Sequence, residues 1–118
     1  MKVLVVEDDK VLSLLLSKMV EKMGLSVIGT AVAGHEAITK AKELIPDLIL
    51  MDIMLEDDID GIDAMRQLRK EKIGIPVIFI TGNSDVYNRE RAKETNYTDY
   101  LVKPISFDLL KETISKVN

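Results

Sequence analysis

Four places in this chain carry residues that could do chemistry together. Lys2-Val-Leu-Val-Val-Glu7-Asp8-Asp9 ends in three carboxylates and Asp47-Leu-Ile-Leu-Met51-Asp52 in one. Pro76-Val-Ile-Phe-Ile80-Thr81 ends in a hydroxyl, and Tyr100-Leu-Val-Lys103-Pro104 in an amine followed by proline. Carboxylate oxygens are hard donors that suit Mg2+, an ion that takes one or two carboxylates together with water and phosphate oxygens. A carboxylate can also attack phosphorus, and a lysine or hydroxyl beside it can meet the phosphoryl oxygens. These residue types describe a pocket for a divalent metal and a phosphoryl group, provided that one fold brings the four ends together.

The elements that must do so follow from apolar periodicity. Residues 2–6, 25–31, 47–51, 76–80 and 99–102 read as strands, several of them continuously apolar, as expected when both faces are buried. Between them run helical patterns. Lys10 to Met23 places Leu12, Leu16, Met19 and Met23 on one stripe, widened by Leu15 and Val20, and Gly24 is its expected stop. Glu36 to Leu44 turns Ala37, Ile38, Ala41 and Leu44 inward, and Pro46 closes that region. The third helix is expected to start at an Asp60 cap, run to about Lys72 and bury Ile62, Met65 and Leu68. Ser84 is the expected cap of a fourth helix with a weak apolar face of Val86, Tyr87 and Ala92. Ser106 is the expected cap of a last helix with Phe107, Leu110, Ile114 and Val117 on one side. Strict alternation implies an α/β fold, a doubly wound five-stranded parallel sheet with helices on both faces. In such sheets ligands bind beyond the carboxyl ends of the strands, where strand order reverses, and the acids, Thr81 and Lys103 all sit at those ends.

Composition narrows the function classes. The chain has 118 residues, is 47% hydrophobic and 31% charged, and carries a net charge of −4, which fits one domain over residues 1–118. The acidic balance argues against nucleic-acid binding, which needs a positive footprint. The absence of cysteine excludes disulfides, thiolate metal sites and cysteine nucleophiles, and a single histidine excludes His-rich metal sites. No apolar run approaches the ~20 residues of a membrane span and no signal peptide is visible, so a cytoplasmic location is expected. His35 is read as an exposed helix-start residue, Asp9 as a helix cap, and Glu56-Asp57-Asp58 as a solvated loop.

An acidic pair after the first strand, Asp after the third, Thr after the fourth and Lys-Pro after the fifth, in this order over the whole chain, resembles the receiver domain of bacterial two-component response regulators. The resemblance implies the flavodoxin-like (βα)5 receiver fold and phosphorelay signalling. Asp52 would be the phosphoacceptor, with Mg2+ (or Mn2+) held by Asp8, Asp52 and the backbone carbonyl of Met54, and by Glu7 mostly through water. Lys103 would pair with Asp52 or the phosphoryl oxygens, and Thr81 would donate to a phosphoryl oxygen beside Gly82, which leaves room for phosphate. Pro104 would be structural at the site. Tyr100, three residues before Lys103, would be the aromatic switch that turns inward as Thr81 moves. A sensor histidine kinase or phosphotransfer protein would donate the phosphoryl group. An output protein or domain, or a second copy docking through the fourth helix–fifth strand–fifth helix face, would receive the signal. No direct nucleic-acid or membrane contact and no activity beyond promoting its own phosphorylation and dephosphorylation are expected.

Two departures stand out. No proline follows the acceptor, where the chain runs Met54-Leu55-Glu56-Asp57, and the loop to Gly61 is about one residue longer than is usual for receivers. Other classes fit less well. A flavodoxin-like cofactor binder needs a phosphate-cradling first loop, and Glu7-Asp8-Asp9 repels phosphate unless metal is bound. An aspartyl phosphohydrolase needs its nucleophile after the first strand and a second Asp two residues on, a spacing that Glu7-Asp8-Asp9-Lys10 does not offer. A degenerate receiver serving only as a docking module is the alternative, and retention of every active-site residue type speaks against it.

Overall fold

The continuous apolar runs become the interior of the sheet. The computed structural model describes residues 1–82 and 85–117. Strands β1 (Lys2–Val6), β2 (Ser26–Ala31), β3 (Leu48–Met51), β4 (Val77–Thr81) and β5 (Asp99–Val102) form one parallel sheet in the order β2-β1-β3-β4-β5. Every residue of β3 and β4 is buried, whereas the edge strands β2 and β5 are partly open to solvent. Helices α1 (Lys10–Lys22), α2 (Gly34–Leu44), α3 (Gly61–Lys70), α4 (Val86–Ala92) and α5 (Phe107–Ile114) cover its two faces, with a short 3₁₀ turn at Lys93–Thr95.

Alternation along the strands sends side chains to two separate cores. Leu4, Val6, Ile49, Met51, Val77, Phe79 and Tyr100 pack with α2, α3 and Ala92 of α4. Val3, Val5, Leu48, Leu50, Ile78, Ile80 and Leu101 pack with α1 and α5. The order of strands reverses between β1 and β3, which places a switch point there. Register makes the juxtaposition concrete. Val6 pairs with Met51, so Glu7 and Asp52 are the next residues on adjacent strands. Thr81 pairs with Val102, so Lys103 follows directly beyond the same edge.

Helix ends follow local chemistry in most cases. Asp9 caps α1 by accepting from the amides of Val11 and Leu12, and Ser106 caps α5 by accepting from Leu109. Asp60 caps α3 in a reciprocal box with Asp63. Gly24 takes a left-handed φ of 84° just past α1, a conformation that glycine adopts without the Cβ penalty. Four details depart from the sequence expectation. Leu15 is 47% exposed rather than packed, because α1 already fills its contact with Leu16 and Val20. Helix α3 stops at Lys70, with Lys72 in the left-handed region. Helix α2 begins two residues early, at Gly34. Asp85 is the cap of α4, accepting from the amide of Asn88; Ser84, the expected cap, lies outside the described residues. On α4 only Ala92 is buried, while Val86 and Tyr87 face solvent.

Candidate functional site

The first sheet edge residue after β1 is Glu7, buried to 1% exposure, and the first after β3 is Asp52, at 4%. Two buried carboxylates side by side need a counter-charge. Lys103 supplies it, with its Nζ 2.8 Å from Glu7 Oε1 and 3.1 Å from Asp52 Oδ2. The other oxygen of each acid is held by backbone. Asp52 Oδ1 accepts from the amide of Ile53 at 2.7 Å, and Glu7 Oε2 from the amide of Asp9 at 3.1 Å. Lys103 is itself anchored, since its amide donates to the carbonyl of Thr81 at 2.8 Å and its bond to Pro104 is cis.

Electrostatics follow from this crowding. Burial pulls the Lys103 ammonium downward, but its close pairing with Glu7 and the charge and hydrogen bond of Asp52 outweigh it, so its pKa lies above the ordinary lysine value. The ammonium therefore persists across neutral pH. Asp8 moves in the direction of protonation. Its partial burial, then its hydrogen bond with Glu7, then the Glu7 charge all raise its pKa. The cluster thus sets three carboxyl groups against one ammonium.

Oxygens of Glu7, Asp8 and Asp52 lie within 4.8 Å of one another. Glu7 Oε1 is buried and has the Lys103 ammonium at ion-pair distance, without a well-directed hydrogen bond. An all-oxygen, anionic donor set with an under-satisfied buried acceptor fits a hard divalent cation. Met54 follows two residues after Asp52 and is 68% exposed. Thr81, at the end of β4, is 1% exposed. Gly82 is exposed, and among the described residues, its chain neighbours apart, no atom lies within 4 Å of where a Cβ would be. Packing by the described residues thus imposes no glycine there.

Tyr100 is found inside, at 6% exposure, with its ring 6.2 Å from Phe79 and 6.0 Å from Tyr97. The guanidinium of Arg89 on α4 covers it at 4.4 Å. The inward position expected of the switched ring is the position present here. Burial raises the phenol pKa, against the lowering effect of Arg89.

Three features were not foreseen. Helix α2 has Ala33 at its cap position and no side-chain cap of its own. Asp57, from the β3–α3 loop, accepts from the amides of Gly34 and His35, each at 2.8 Å. The acidic stretch is therefore partly structural, with Asp58 3.1 Å from the exposed His35. Arg91 of α4 bonds Asp60 at 2.7 and 3.2 Å and Asp63 at 3.1 Å, tying α4 to the start of α3. Gly61 is jammed against the end of β3, where a Cβ would lie 2.1 Å from the Asp52 carbonyl oxygen. Only the uncapped start of α2 hinted at the first; nothing local in the sequence marks the second or third.

Comparison with known proteins bears on this edge-of-sheet cluster. The response regulator receiver domain profile matches residues 3–115. This chain belongs to that family. The receiver is 34% identical over 116 residues to the probable C4-dicarboxylate response regulator DctR of Halalkalibacterium halodurans, covering 98% of this chain and 50% of that protein. It is 38% identical over 105 residues to the alkaline phosphatase synthesis transcriptional regulatory protein PhoP of Bacillus subtilis, covering 89% and 43%. The chain thus spans about half the length of these curated relatives. Among solved structures, the signal receiver domain of a modulated diguanylate cyclase from Desulfovibrio desulfuricans superposes with a TM-score of 0.89 at 37% identity, covering 98% of this chain and 91% of that one. The flavodoxin-like (βα)5 receiver fold is shared, and membership implies phosphorelay signalling. Among the described residues no helix is long and apolar enough to cross a membrane.

Proposed function

We propose that this receiver accepts a phosphoryl group on Asp52 in a reaction that needs Mg2+ or Mn2+, and thereby changes its affinity for a partner. The observation that carries the reading is the Lys103 ammonium lodged between the buried carboxylates of Glu7 and Asp52, with Asp8 alongside. A carboxylate oxygen of Asp52 attacks phosphorus. The bond from phosphorus to the donor's nitrogen or oxygen breaks, and its electron pair leaves with the donor. Glu7, Asp8, Asp52 and the carbonyl of Met54 would hold the metal, which supplies positive charge shared by the carboxylates and the phosphoryl oxygens. Lys103 offsets the charge that would otherwise repel an anionic donor and then faces the new phosphoryl oxygens. Thr81 donates its hydroxyl to one of them, beside Gly82, and Pro104 fixes the strand end that carries Lys103. Tyr100 reads the change out to the α4–β5–α5 face.

Residues 1–118 act as one receiver unit in the cytoplasm. The donor is a histidine kinase or phosphotransfer protein. The recipient is an output protein or domain, or a second copy of the chain. No reaction other than its own phosphorylation and dephosphorylation is catalysed. Incubation with acetyl phosphate or phosphoramidate, with and without Mg2+, followed by intact mass measurement, tests the reading. One phosphoryl adduct is expected only with metal. An adduct that persists in Asp52→Asn contradicts the assignment.

A further inference from the structure

Apart from Met54, the acidic loop after β3 takes no part in the phosphoryl chemistry. It carries Met54, whose carbonyl would face the metal, and it lacks the usual proline. At its near end the amide of Gly61 donates to the carbonyl of Ile53 at 2.8 Å. Further out, the amide of Glu56 donates to the carbonyl of Val32 at 3.2 Å. Beyond it, Asp57 clasps the amides of Gly34 and His35 with both carboxylate oxygens. Only Met54 and Leu55 lie between the tie at Ile53 and the tie at Glu56.

We infer that Asp57 is a positioning residue for the metal site: by capping α2 from a distance, it pins the loop and fixes where the Met54 carbonyl points. The inference rests on the proposed metal-dependent reading and names a residue of this chain that supports it. The helix start gains as well, because its first free amides find a charged acceptor near the positive end of the helix dipole. Asp57 is held below the ordinary carboxylate range: burial opposes the shift, and the amides of His35 and Gly34 overcome it. Ile59 packs over Gly34, where an added Cβ would lie 2.4 Å from Ile59 Cγ1, so loop and helix are mated closely enough to transmit the constraint.

A cap can be moved without moving the loop. Ala33 has the extended backbone of a cap residue, with φ −135° and ψ 154°, and no side-chain bond. Asp57→Ala removes both the cap and the tether. Ala33→Asp combined with Asp57→Ala restores a local cap and the net charge but leaves the loop without its Asp57 tether, held on that side by the Glu56–Val32 backbone bond alone. Titration with Mg2+ by calorimetry, alongside thermal melts, separates the two roles. Asp57→Ala is expected to weaken Mg2+ binding roughly tenfold, as for loss of a residue that supports metal ligands, and to lower the melting midpoint. The double variant is expected to regain the midpoint while its Mg2+ affinity stays roughly tenfold low. If Asp57→Ala does not fold, the double variant against the unaltered chain carries the same comparison. Wild-type affinity in the double variant, or in Asp57→Ala, overturns the inference and leaves the metal site standing. Absence of saturable Mg2+ binding in the unaltered chain overturns both.

Discussion

Asp8 is the residue whose environment most directly opposes its own charge. Burial and Glu7 raise its pKa, so the folded state binds a proton more readily than the unfolded chain. Stability contributed by this group therefore falls as pH rises from the ordinary aspartate value through the raised one, and the penalty is in force at neutral pH. Asp8→Asn is expected to stabilise the metal-free protein by about 0.5 kcal/mol after allowance for solvent screening, or roughly 2–4 °C in a melt. The same change is expected to weaken Mg2+ binding at least tenfold. A loss of stability with unchanged Mg2+ affinity would mean that Asp8 is a structural residue. Gly61 acts by its absence of a side chain. Gly61→Ala drives a Cβ onto the Asp52 carbonyl, so a destabilisation of about 2–3 kcal/mol is expected in urea unfolding, with shifted amide signals at Asp52 and Ile53. A neutral substitution would show that the β3–α3 junction yields more than its packing implies.

At the level of elements, α4 is held by polar contacts where the other helices are held by apolar ones. It buries only Ala92. Arg91 ties it to the start of α3 through Asp60 and Asp63, and Arg89 lies over the Tyr100 ring. Burial works against ionisation of Asp60, but Arg91 and the amide of Asp63 lower its pKa. The stabilisation is therefore present above the ordinary aspartate pKa and is lost as pH falls through the depressed one. Arg91→Ala is expected to cost about 1–2 kcal/mol near neutral pH, with the deficit relative to the unaltered chain shrinking below roughly pH 4. A deficit unchanged at low pH would assign the loss to packing of the arginine stem rather than to its charge. These contacts also show what the sequence could disclose. Strands with buried runs such as Leu48–Met51, and caps such as Asp9, Asp60 and Ser106, were legible because each is fixed by neighbours a few residues away. The placement of Glu7, Asp52, Thr81 and Lys103 at one sheet edge was legible because each ends a strand. Asp57 on Gly34 and Arg91 on Asp60 span 23 and 31 residues, and no local pattern encodes them. Leu15 was assigned inward because helical spacing defines a stripe but not how much of it the sheet will cover.

Across the whole molecule, two connections run from the acid cluster to α4. One passes from Asp52 through Gly61 and Asp60 to Arg91. The other would run along β4 from Thr81 to Phe79, whose ring lies 6.2 Å from Tyr100, and on to the Arg89 that covers Tyr100. Because Tyr100 is already buried, phosphorylation is expected to alter its cover of α4 rather than swing the ring from solvent. Beryllofluoride with Mg2+ should shift NMR signals of Tyr100, Arg89 and α4, and Thr81→Ala should abolish the shift at Tyr100 while leaving those beside Asp52. Shifts confined to the acid cluster would contradict such coupling.

Chemical trapping reads directly which carboxylate carries the phosphoryl group. Borohydride reduces an aspartyl phosphate to homoserine, which peptide mass mapping locates to a single residue. After treatment with acetyl phosphate and Mg2+, homoserine is expected at position 52 alone, and at no position when the metal is chelated. Homoserine at Asp8 or Asp57, or none anywhere with metal present, would contradict the account.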